Sequence, residues 1–296
     1  MKKYFVKLIV LFLCILIYLN IPSTSQHTYP EKNQYTPLLT ALNITYPKGD
    51  GSLRIMTYNL LADTPGFEGA PAYSRADGVC AILNTLKPDV IALQETSRNW
   101  FYSLNQSTPY KFISPVKTNI LGTMTTLIYN PETLFLNHWG EYVFPKNHNG
   151  RLRCAVWGVF KERSTGKTFI VVNTHLSLSY KEKQFPEQQA IEILGLEDTL
   201  KKEYDCPIIF TGDFNSDKRS HTNHSANVYE ILCTSLTDTA TTAPETACAK
   251  GKDFESYRVD HIFTTHEPRI LRFVILSQPK FANLSDHYPI FIDLML

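Results

Sequence analysis

Residues 208–216, with the sequence IIFTGDFNS, end an apolar segment on two polar side chains. The segment 208–211 has the length and apolar character of a buried strand, and Asp213 and Asn215 follow it directly. Gly212 and the short polar side chains also suit an Asx turn, so the stretch taken alone fits a purely structural role. Its meaning depends on whether other strands of the chain end in the same way.

Other predicted strands do carry polar residues where they begin, end or are interrupted. These residues are Asn59, Glu95, His175, Asp260, His261, Asp286 and His287. Each of them has a structural explanation, although Asp260 lies inside an apolar strand and a buried carboxylate needs a partner. The whole set, with its carboxylates, amides and histidines, is not expected of a core. Side chains at strand ends converge on one edge of a sheet, which is where many sites are built.

The hydrophobic pattern predicts strands alternating with a few helices. Apolar residues at helical spacing predict a helix over 74–86, and a second buried helical face follows Pro186. The predicted strands cover 53–59, 90–93, 124–129, 154–160, 169–173, 208–211, 259–263, 271–276 and 288–292. This number of strands suits one large sheet or two packed sheets.

The residue types indicate a hard metal ion and phosphoester chemistry. Carboxylate and amide oxygens are the preferred ligands of Mg²⁺, Mn²⁺ and Ca²⁺. The sequence has no CxxC cysteine pair, which argues against a thiolate zinc site. A hard cation beside a histidine and an ionised aspartate can hydrolyse a phosphate ester, because the metal stabilises charge on the phosphoryl oxygens while a carboxylate orients or deprotonates water.

Six segments, in this order, carry a resemblance to a known family. They are 56–60 (MTYNL), 93–95 (LQE), 173–176 (NTHL), 212–216 (GDFNS), 259–262 (VDHI) and 285–289 (SDHYP). Together they resemble the endonuclease/exonuclease/phosphatase superfamily over residues 52 to 294. The resemblance implies an α/β (α+β) four-layer sandwich, with two packed, mainly antiparallel sheets flanked by helices. It also implies a metal-dependent phosphoric ester hydrolase that uses Mg²⁺, with Mn²⁺ or Ca²⁺ as alternatives.

By the same resemblance, Glu95 is the principal metal ligand, and Asn59 and Asp286 complete or support the metal site. Asp213 orients or activates the attacking water, and Asn215 holds the scissile phosphate. These roles are carried over by motif, since no spacing in the sequence shows which side chains meet.

The histidines take the remaining roles. The resemblance implies that His175 and His287 bind phosphate oxygens and stabilise the transition state. It also implies that Asp260 pairs with His287, which fixes the tautomer of the histidine and raises its pKa. His261 is expected to be structural. Some members of the superfamily have an acidic partner for the histidine that His175 matches, and no candidate for it stands out between Glu95 and Asp213.

The N-terminus predicts export. Three lysines precede an apolar run over 8–19, and small residues follow at Ser23 and Ser25. This indicates a signal peptide over 1–25, with an uncleaved N-terminal anchor as the alternative. Residues 26–51 are expected to form a linker or arm, and 52–296 a single catalytic domain.

Charge and cysteines add further expectations. Loss of residues 1–25 removes three of the 29 basic residues and none of the 28 acidic ones, so the net charge changes from +1 to −2. Of the remaining cysteines, Cys233 and Cys248 flank a polar stretch and are predicted to form a disulfide, which export would permit. Arg75 is expected on a solvated helix face, and Arg153 at a solvated strand end.

The expected substrate is a phosphodiester, with nucleic acid ahead of phospholipid. Residues 59–63 (NLLAD) resemble the deadenylase branch, but a secretory signal does not fit a cytoplasmic messenger-RNA enzyme. A secreted nuclease is therefore preferred, and a sphingomyelinase-type phospholipid phosphodiesterase is the alternative. A non-catalytic binding module on the same fold is the third reading. No protein partner is implied, and a monomer is expected.

Overall fold

The structure is a computed structural model that describes residues 46–63, 70–113, 125–145, 152–178, 184–217, 226–244, 248–249, 258–265, 268–277, 281 and 283–296. The strands are β1 (Leu53–Asn59), β2 (Val90–Gln94), β3 (Lys111–Ile113), β4 (Thr126–Tyr129), β5 (Leu134–Val143), β6 (Cys154–Glu162), β7 (Thr168–His175), β8 (Ile208–Asp213), β9 (Thr237–Asp238), β10 (Cys248–Ala249), β11 (Asp260–Thr264), β12 (Arg269–Ile275) and β13 (Ile290–Met295). The helices are α1 (Ala72–Leu86), α2 (Arg98–Ser107), α3 (Gln184–Glu203), α4 (Ala226–Leu232) and α5 (Thr239–Thr242). Among these helices, none combines the length and the apolar character needed to cross a membrane.

The strands form two sheets. One has seven strands in the order β10-β12-β13-β1-β2-β4-β3, and the other has six in the order β5-β6-β7-β8-β11-β9. Most neighbouring strands are antiparallel, the exceptions being β1 with β2, β10 with β12 and β7 with β8. The predicted class, with two mainly antiparallel sheets, is confirmed.

Three hydrophobic layers hold the four structural layers together. The central one lies between the sheets and includes Ile55, Val171 and Phe273. A second layer packs α1 and α2 on the outer face of the seven-stranded sheet, with Trp100 fully buried in it. The third packs α3 and α4 on the six-stranded sheet. The alternation of side chains along each strand supplies both faces, so each sheet is buried on two sides.

A pair of buried amides joins the two sheets between β2 and β7. The Nε2 of Gln94 donates to Oδ1 of Asn173 at 2.8 Å, and Nδ2 of Asn173 donates to the carbonyls of Leu93 and Thr126 at 2.9 and 2.8 Å. Both side chains are fully buried. Unpaired amides in such a place would be costly, so their mutual bonding fixes how the sheets face each other here.

A buried ion pair joins β1 to β13 near the start of β1. Arg54 donates from Nε and Nη2 to the two carboxylate oxygens of Asp293 at 2.7 and 2.8 Å, across the β1–β13 register. Its remaining donors reach the carbonyls of Leu86 and Tyr46. This bidentate arrangement closes α1 and the chain before β1 onto the sheet.

Two predicted segments fall largely outside the described residues. The signal peptide or anchor over 1–25 lies wholly outside them, as does most of the arm over 26–51. Within 46–51, Lys48 forms an ion pair with Asp89 and Tyr46 packs edge-on against Phe291. The side chain of Cys248 is also outside them, so its disulfide with Cys233 stays a prediction.

The expectation for Arg75 is wrong. This residue lies on α1, but only 3% of its surface is exposed. Its guanidinium is turned inward to backbone carbonyls instead of outward to water. The helical periodicity located α1 correctly, yet it could not show that loops from elsewhere in the chain cover this position.

Gly212 lies where β8 comes closest to β7, opposite Thr174. A Cβ atom at this position would lie 2.0 Å from the carbonyl oxygen of Thr174, and the φ angle of 143° is one that other residues rarely adopt. We expect Gly212→Ala to lower the free energy of unfolding by about 3 kcal/mol or more, because neither the backbone nor the neighbouring strand can yield cheaply.

The matched control is Gly195→Ala on α3, where a Cβ meets nothing within 4 Å. Alanine should stabilise this exposed helical position by up to about 1 kcal/mol. Urea unfolding of both variants provides the measurement. An unchanged midpoint for Gly212→Ala would contradict the packing described here.

Candidate active site

Three side chains of the six-stranded sheet stand in one row across neighbouring strands. His175 at the end of β7 is in register with Asp213 at the end of β8, and Asp213 is in register with Asp260 at the start of β11. Because β11 is antiparallel to β8, its start meets the end of that strand. Three residues that are far apart in the sequence are therefore brought to one edge of the sheet.

His287 completes this group from the segment before β13. Its Nδ1 lies 2.7 Å from Oδ2 of Asp260, which is the pairing that the sequence resemblance implies. Its Nε2 lies 3.8 Å from Oδ2 of Asp213. Burial opposes charge on this imidazole, but the charge and hydrogen bond of Asp260, with help from Asp213 and Asp286, raise the pKa of His287 well above its ordinary value.

Asp213 is the most enclosed acid of the group. Its Oδ1 accepts from the amide of Asn215 at 2.9 Å, and its Oδ2 accepts from Nδ2 of Asn59 at 3.0 Å. Burial and the nearby charge of Asp260 raise the pKa of Asp213 to about 6, against the opposing effects of His287 and of these hydrogen bonds. A carboxylate that titrates near neutral pH is suited to accept a proton from water.

The seven-stranded sheet contributes Asn59 and Glu95. Asn59 ends β1, and Glu95 follows β2, the parallel neighbour of β1. The Nδ2 of Asn59 lies 3.3 Å from Oε1 of Glu95, while the other oxygen of Glu95 accepts from the amide of Ala62 at 2.8 Å. The Oδ1 of Asn59 accepts from the amide of Leu61. Since Nδ2 of Asn59 also bonds to Asp213, this amide links the contributions of the two sheets.

Asp286 reaches the site through Ser285. The hydroxyl of Ser285 donates to the carbonyl of Asn59 at 2.7 Å, and it accepts from the amide of His287 at 3.2 Å. It also lies 3.3 Å from Oδ1 of Asp286. Ser285 thus attaches the segment that carries Asp286 and His287 to the end of β1, and its role went unrecognised in the sequence.

The backbone is strained at the same place. Of the described residues other than glycine, four have a positive φ, and three of these flank the site: Leu61 at 55°, Glu95 at 57° and Asn215 at 50°. Leucine and glutamate rarely adopt this conformation, which costs free energy that the surrounding fold must supply. Such strain is concentrated at functional sites, and here it determines the direction of the Glu95 carboxylate.

His175 is held neutral. It is buried, and its Nε2 lies 3.5 Å from Oδ2 of Asp213. Burial, the positive charge of Arg153 and His287 together lower the pKa of His175 well below its ordinary value. Its Nδ1 has no hydrogen-bond partner among the described residues, so none of them is the acidic partner that some members of the superfamily possess.

Asn215 and His261 have different surroundings. Nδ2 of Asn215 donates to the carbonyl of Leu176 at 2.8 Å, which holds this amide beside the end of β7. The ring of His261 stacks on Phe263 and its Nε2 lies 2.8 Å from the carbonyl of Ser216. His261 is thus a buried histidine behind the site, as expected from the sequence.

The donor set suits a hard divalent cation. Glu95, Asp213, Asp260 and Asp286 are the four carboxylates of the candidate site, and burial, together with repulsion from the charge of Asp260, raises the pKa of Asp213. A divalent cation would relieve that repulsion, and oxygen donors without thiolates favour Mg²⁺, Mn²⁺ or Ca²⁺. Ligand atoms of Asp213, Asp260 and His287 lie within 4.8 Å of one another. The resemblance assigns the cation to Glu95, Asn59 and Asp286, and both assignments lie within this one site.

Gln94, Asn173 and Arg75 also belong to this region, although none of them was predicted as a site residue. Gln94 precedes Glu95, and Asn173 lies two residues before His175. A sequence signal existed for both amides, since each is a polar residue that directly follows an apolar run, at 90–93 and at 169–172. The sequence held no comparable signal for Arg75, because its partners are carbonyls of distant residues.

Structural comparison shows the fold in other proteins. An endonuclease/exonuclease/phosphatase from Bacteroides vulgatus is 24% identical, with a TM-score of 0.68, and the match covers 83% of this chain and 99% of the other. The mannosyl-6-phosphatase of Bacteroides thetaiotaomicron is 18% identical, with a TM-score of 0.67 and coverages of 82% and 100%. D. rerio TDP2, solved with a single-strand DNA product, is 19% identical, with a TM-score of 0.64 and coverages of 83% and 100%.

Comparison of sequences leads to the family. No curated protein sequence matches the chain significantly. A family model does match it, over residues 56–287, a span that begins within β1 and ends at His287. That span includes every predicted site residue, and the matching family has the two-sheet fold described above. The chain is therefore a member of the Endonuclease/Exonuclease/phosphatase family.

Proposed function

We propose that the chain is a secreted phosphodiesterase that requires a divalent cation and acts on nucleic acid. The observation that carries the proposal is the position of Asn59. Its amide lies between Glu95 and Asp213, at 3.3 and 3.0 Å, so the predicted metal ligand and the predicted water-activating carboxylate share one site. An intact site of this kind argues for an enzyme and against the non-catalytic binding module.

The proposed reaction is the attack of water on phosphorus. Asp213 orients the water and takes its proton, and a new P–O bond forms to the water oxygen. The ester P–O bond breaks, and the departing oxygen takes up a proton from solvent to leave as an alcohol. His287, held as an imidazolium by Asp260, and neutral His175 donate hydrogen bonds to the phosphoryl oxygens, and Asn215 helps to hold the phosphate. Glu95, Asn59 and Asp286 would hold the cation, which supplies charge stabilisation to these oxygens when bound.

Nucleic acid is preferred over phospholipid on two grounds. The resemblance of residues 59–63 to the deadenylase branch points to a polynucleotide. In addition, the exposed large apolar side chains of the described residues are spread over α1, α2, α3, β5 and β13. A lipid hydrolase needs one apolar face that can dock on a membrane, and scattered side chains do not supply it. The proposed secretion depends on the signal predicted over residues 1–25.

Chelation and a ligand substitution test the metal requirement. We expect EDTA to abolish hydrolysis of a soluble bis-nitrophenyl phosphodiester and excess Mg²⁺ or Mn²⁺ to restore it. Glu95→Gln keeps the shape of the side chain but removes its charge, and should lower kcat/KM by at least about 100-fold. The control is Glu197→Gln, which changes a buried glutamate that pairs with Lys201 on α3. Activity that survives EDTA would refute the metal requirement.

A double-mutant cycle tests the roles of Asp260 and His287. Removal of a hydrogen-bond donor to the transition state should lower kcat by about 10²- to 10³-fold in His287→Ala. Asp260→Asn should have a smaller effect by itself, and little further effect in the His287→Ala background, because Asp260 acts through His287. His138→Ala, an exposed histidine on β5, is the control. Effects that multiply in the double variant would show that Asp260 acts directly.

A substrate panel tests the specificity. The purified chain would be assayed with Mg²⁺ or Mn²⁺ against plasmid DNA, RNA, sphingomyelin vesicles, a nitrophenyl phosphomonoester and the bis-nitrophenyl diester. We expect cleavage of nucleic acid and of the soluble diester. Cleavage of sphingomyelin alone would establish the lipid alternative, and cleavage of the monoester alone would exclude a phosphodiesterase. Failure with every substrate would favour the binding module.

A further inference from the structure

Arg75 makes four hydrogen bonds, all to backbone carbonyls. Its Nε donates to Ala70 at 2.6 Å, its Nη1 to Leu60 at 2.5 Å and to Leu284 at 2.8 Å, and its Nη2 to Leu61 at 2.6 Å. None of the described carboxylates accepts a hydrogen bond from it. A buried arginine commonly pairs with an acid, so this exclusive use of carbonyls needs an explanation.

The carbonyls belong to the segments that orient the predicted metal ligands. Leu60 and Leu61 follow Asn59, and the amides of Leu61 and Ala62 are donors to Asn59 and Glu95. Leu284 precedes Ser285, whose hydroxyl bonds to the carbonyl of Asn59. One guanidinium thus joins the chain after β1 to the chain before Asp286.

An aromatic ring fixes the guanidinium in turn. The guanidinium carbon of Arg75 lies 4.7 Å from the centroid of the Trp100 ring, and Nε1 of Trp100 donates to the carbonyl of Leu61 at 3.1 Å. Stacking and this shared acceptor leave the group little freedom. Arg75 and Trp100 together form a clamp that holds the carbonyl of Leu61 with two donors.

The charge of Arg75 is directed toward the same ligands. Burial lowers the pKa of Arg75, and the carboxylates of Asp63, Asp286 and Glu95 oppose this effect by favouring its charged form. Since none of them bonds to it directly, Arg75 can balance part of their charge without occupying an oxygen that a cation would need. A lysine or a neutral residue would lose either the geometry or the charge.

We propose that Arg75 is a positioning residue of the candidate metal site, and that its bonds to Leu60, Leu61 and Leu284 set the places of Asn59, Glu95 and Asp286 for a divalent cation. The inference rests on the proposed metal requirement. It assigns Arg75 no contact with the substrate.

Arg54 is a natural control for this proposal. It is also fully buried, it also makes four hydrogen bonds, and its guanidinium carbon also lies 4.7 Å from a ring centroid, that of Phe291. It differs in two respects, because it bonds to Asp293 and it precedes the site by the whole length of β1. Loss of Arg54 should thus weaken the fold without altering the metal site specifically.

The experiment measures Mn²⁺ binding to the full chain by isothermal titration calorimetry. Wild type, Arg75→Lys and Arg54→Lys are compared at a temperature where circular dichroism shows all three folded. We expect Arg75→Lys to weaken Mn²⁺ binding by 10- to 100-fold and Arg54→Lys to leave it within about twofold. Raising the Mn²⁺ concentration should restore diesterase activity to Arg75→Lys, because the defect lies in cation affinity.

A second variant keeps the test valid if Arg75→Lys does not fold. Trp100→Phe keeps an aromatic ring near the guanidinium, but it removes the donor to Leu61 and reduces the buried volume of the side chain. It should also weaken Mn²⁺ binding, by less than Arg75→Lys. Wild-type affinity in whichever of these variants folds would overturn the proposal, as would an equal loss in Arg54→Lys. A wild-type chain that binds no Mn²⁺ would overturn the proposed metal requirement as well, and this failure is recognisable because it appears before any substitution.

Discussion

The hydrogen bond between Gln94 and Asn173 is the constraint on which the site depends. The seven-stranded sheet and the segment that leads into its strand β13 carry Asn59, Glu95, Asp286 and His287, whereas the six-stranded sheet carries His175, Asp213 and Asp260. The central layer between the sheets is apolar and non-directional, so it would tolerate small shifts of one sheet over the other. Two buried amides are directional, and they lie next to Glu95 on one strand and near His175 on the other. Their hydrogen bond therefore fixes the distance between the two sheets at the ends that carry the candidate site residues.

The electrostatics of the site follow from this closeness. Four carboxylates belong to the candidate site, and a few positively charged side chains offset part of their negative charge. His287 is paired with Asp260, whereas Arg75 lies behind Glu95 and Asp286 and bonds only to carbonyls. The carboxylate charge that these side chains leave unbalanced makes the site suitable for a divalent cation. His175, in contrast, is buried beside Arg153 and kept neutral, so the two histidines that face Asp213 differ in charge.

The family relationship fixes the kind of chemistry more firmly than the substrate. Relatives with the same fold include a protein described as a mannosyl-6-phosphatase and one solved with single-strand DNA, both below 20% identity. One fold can support different functions, because binding and catalytic residues are often carried by loops on a common scaffold. The proposal of a secreted nuclease accordingly rests on a short motif, on the N-terminal sequence and on the distribution of exposed apolar side chains.

The sequence by itself determined the order of the main strands and the first helix, and it predicted the eight site residues. These follow from local physics, since apolar periodicity marks buried strands and a polar residue within or after one is exceptional. It did not reveal α2 or β5, because the half-exposed strand β5 lacks the apolar run of a core strand. Only the tertiary structure decided that Gln94 meets Asn173, that Ser285 anchors to Asn59 and that Arg75 is buried. The physical reason is that each of these contacts joins residues from distant segments, often through backbone carbonyls, which every residue possesses and no sequence pattern marks.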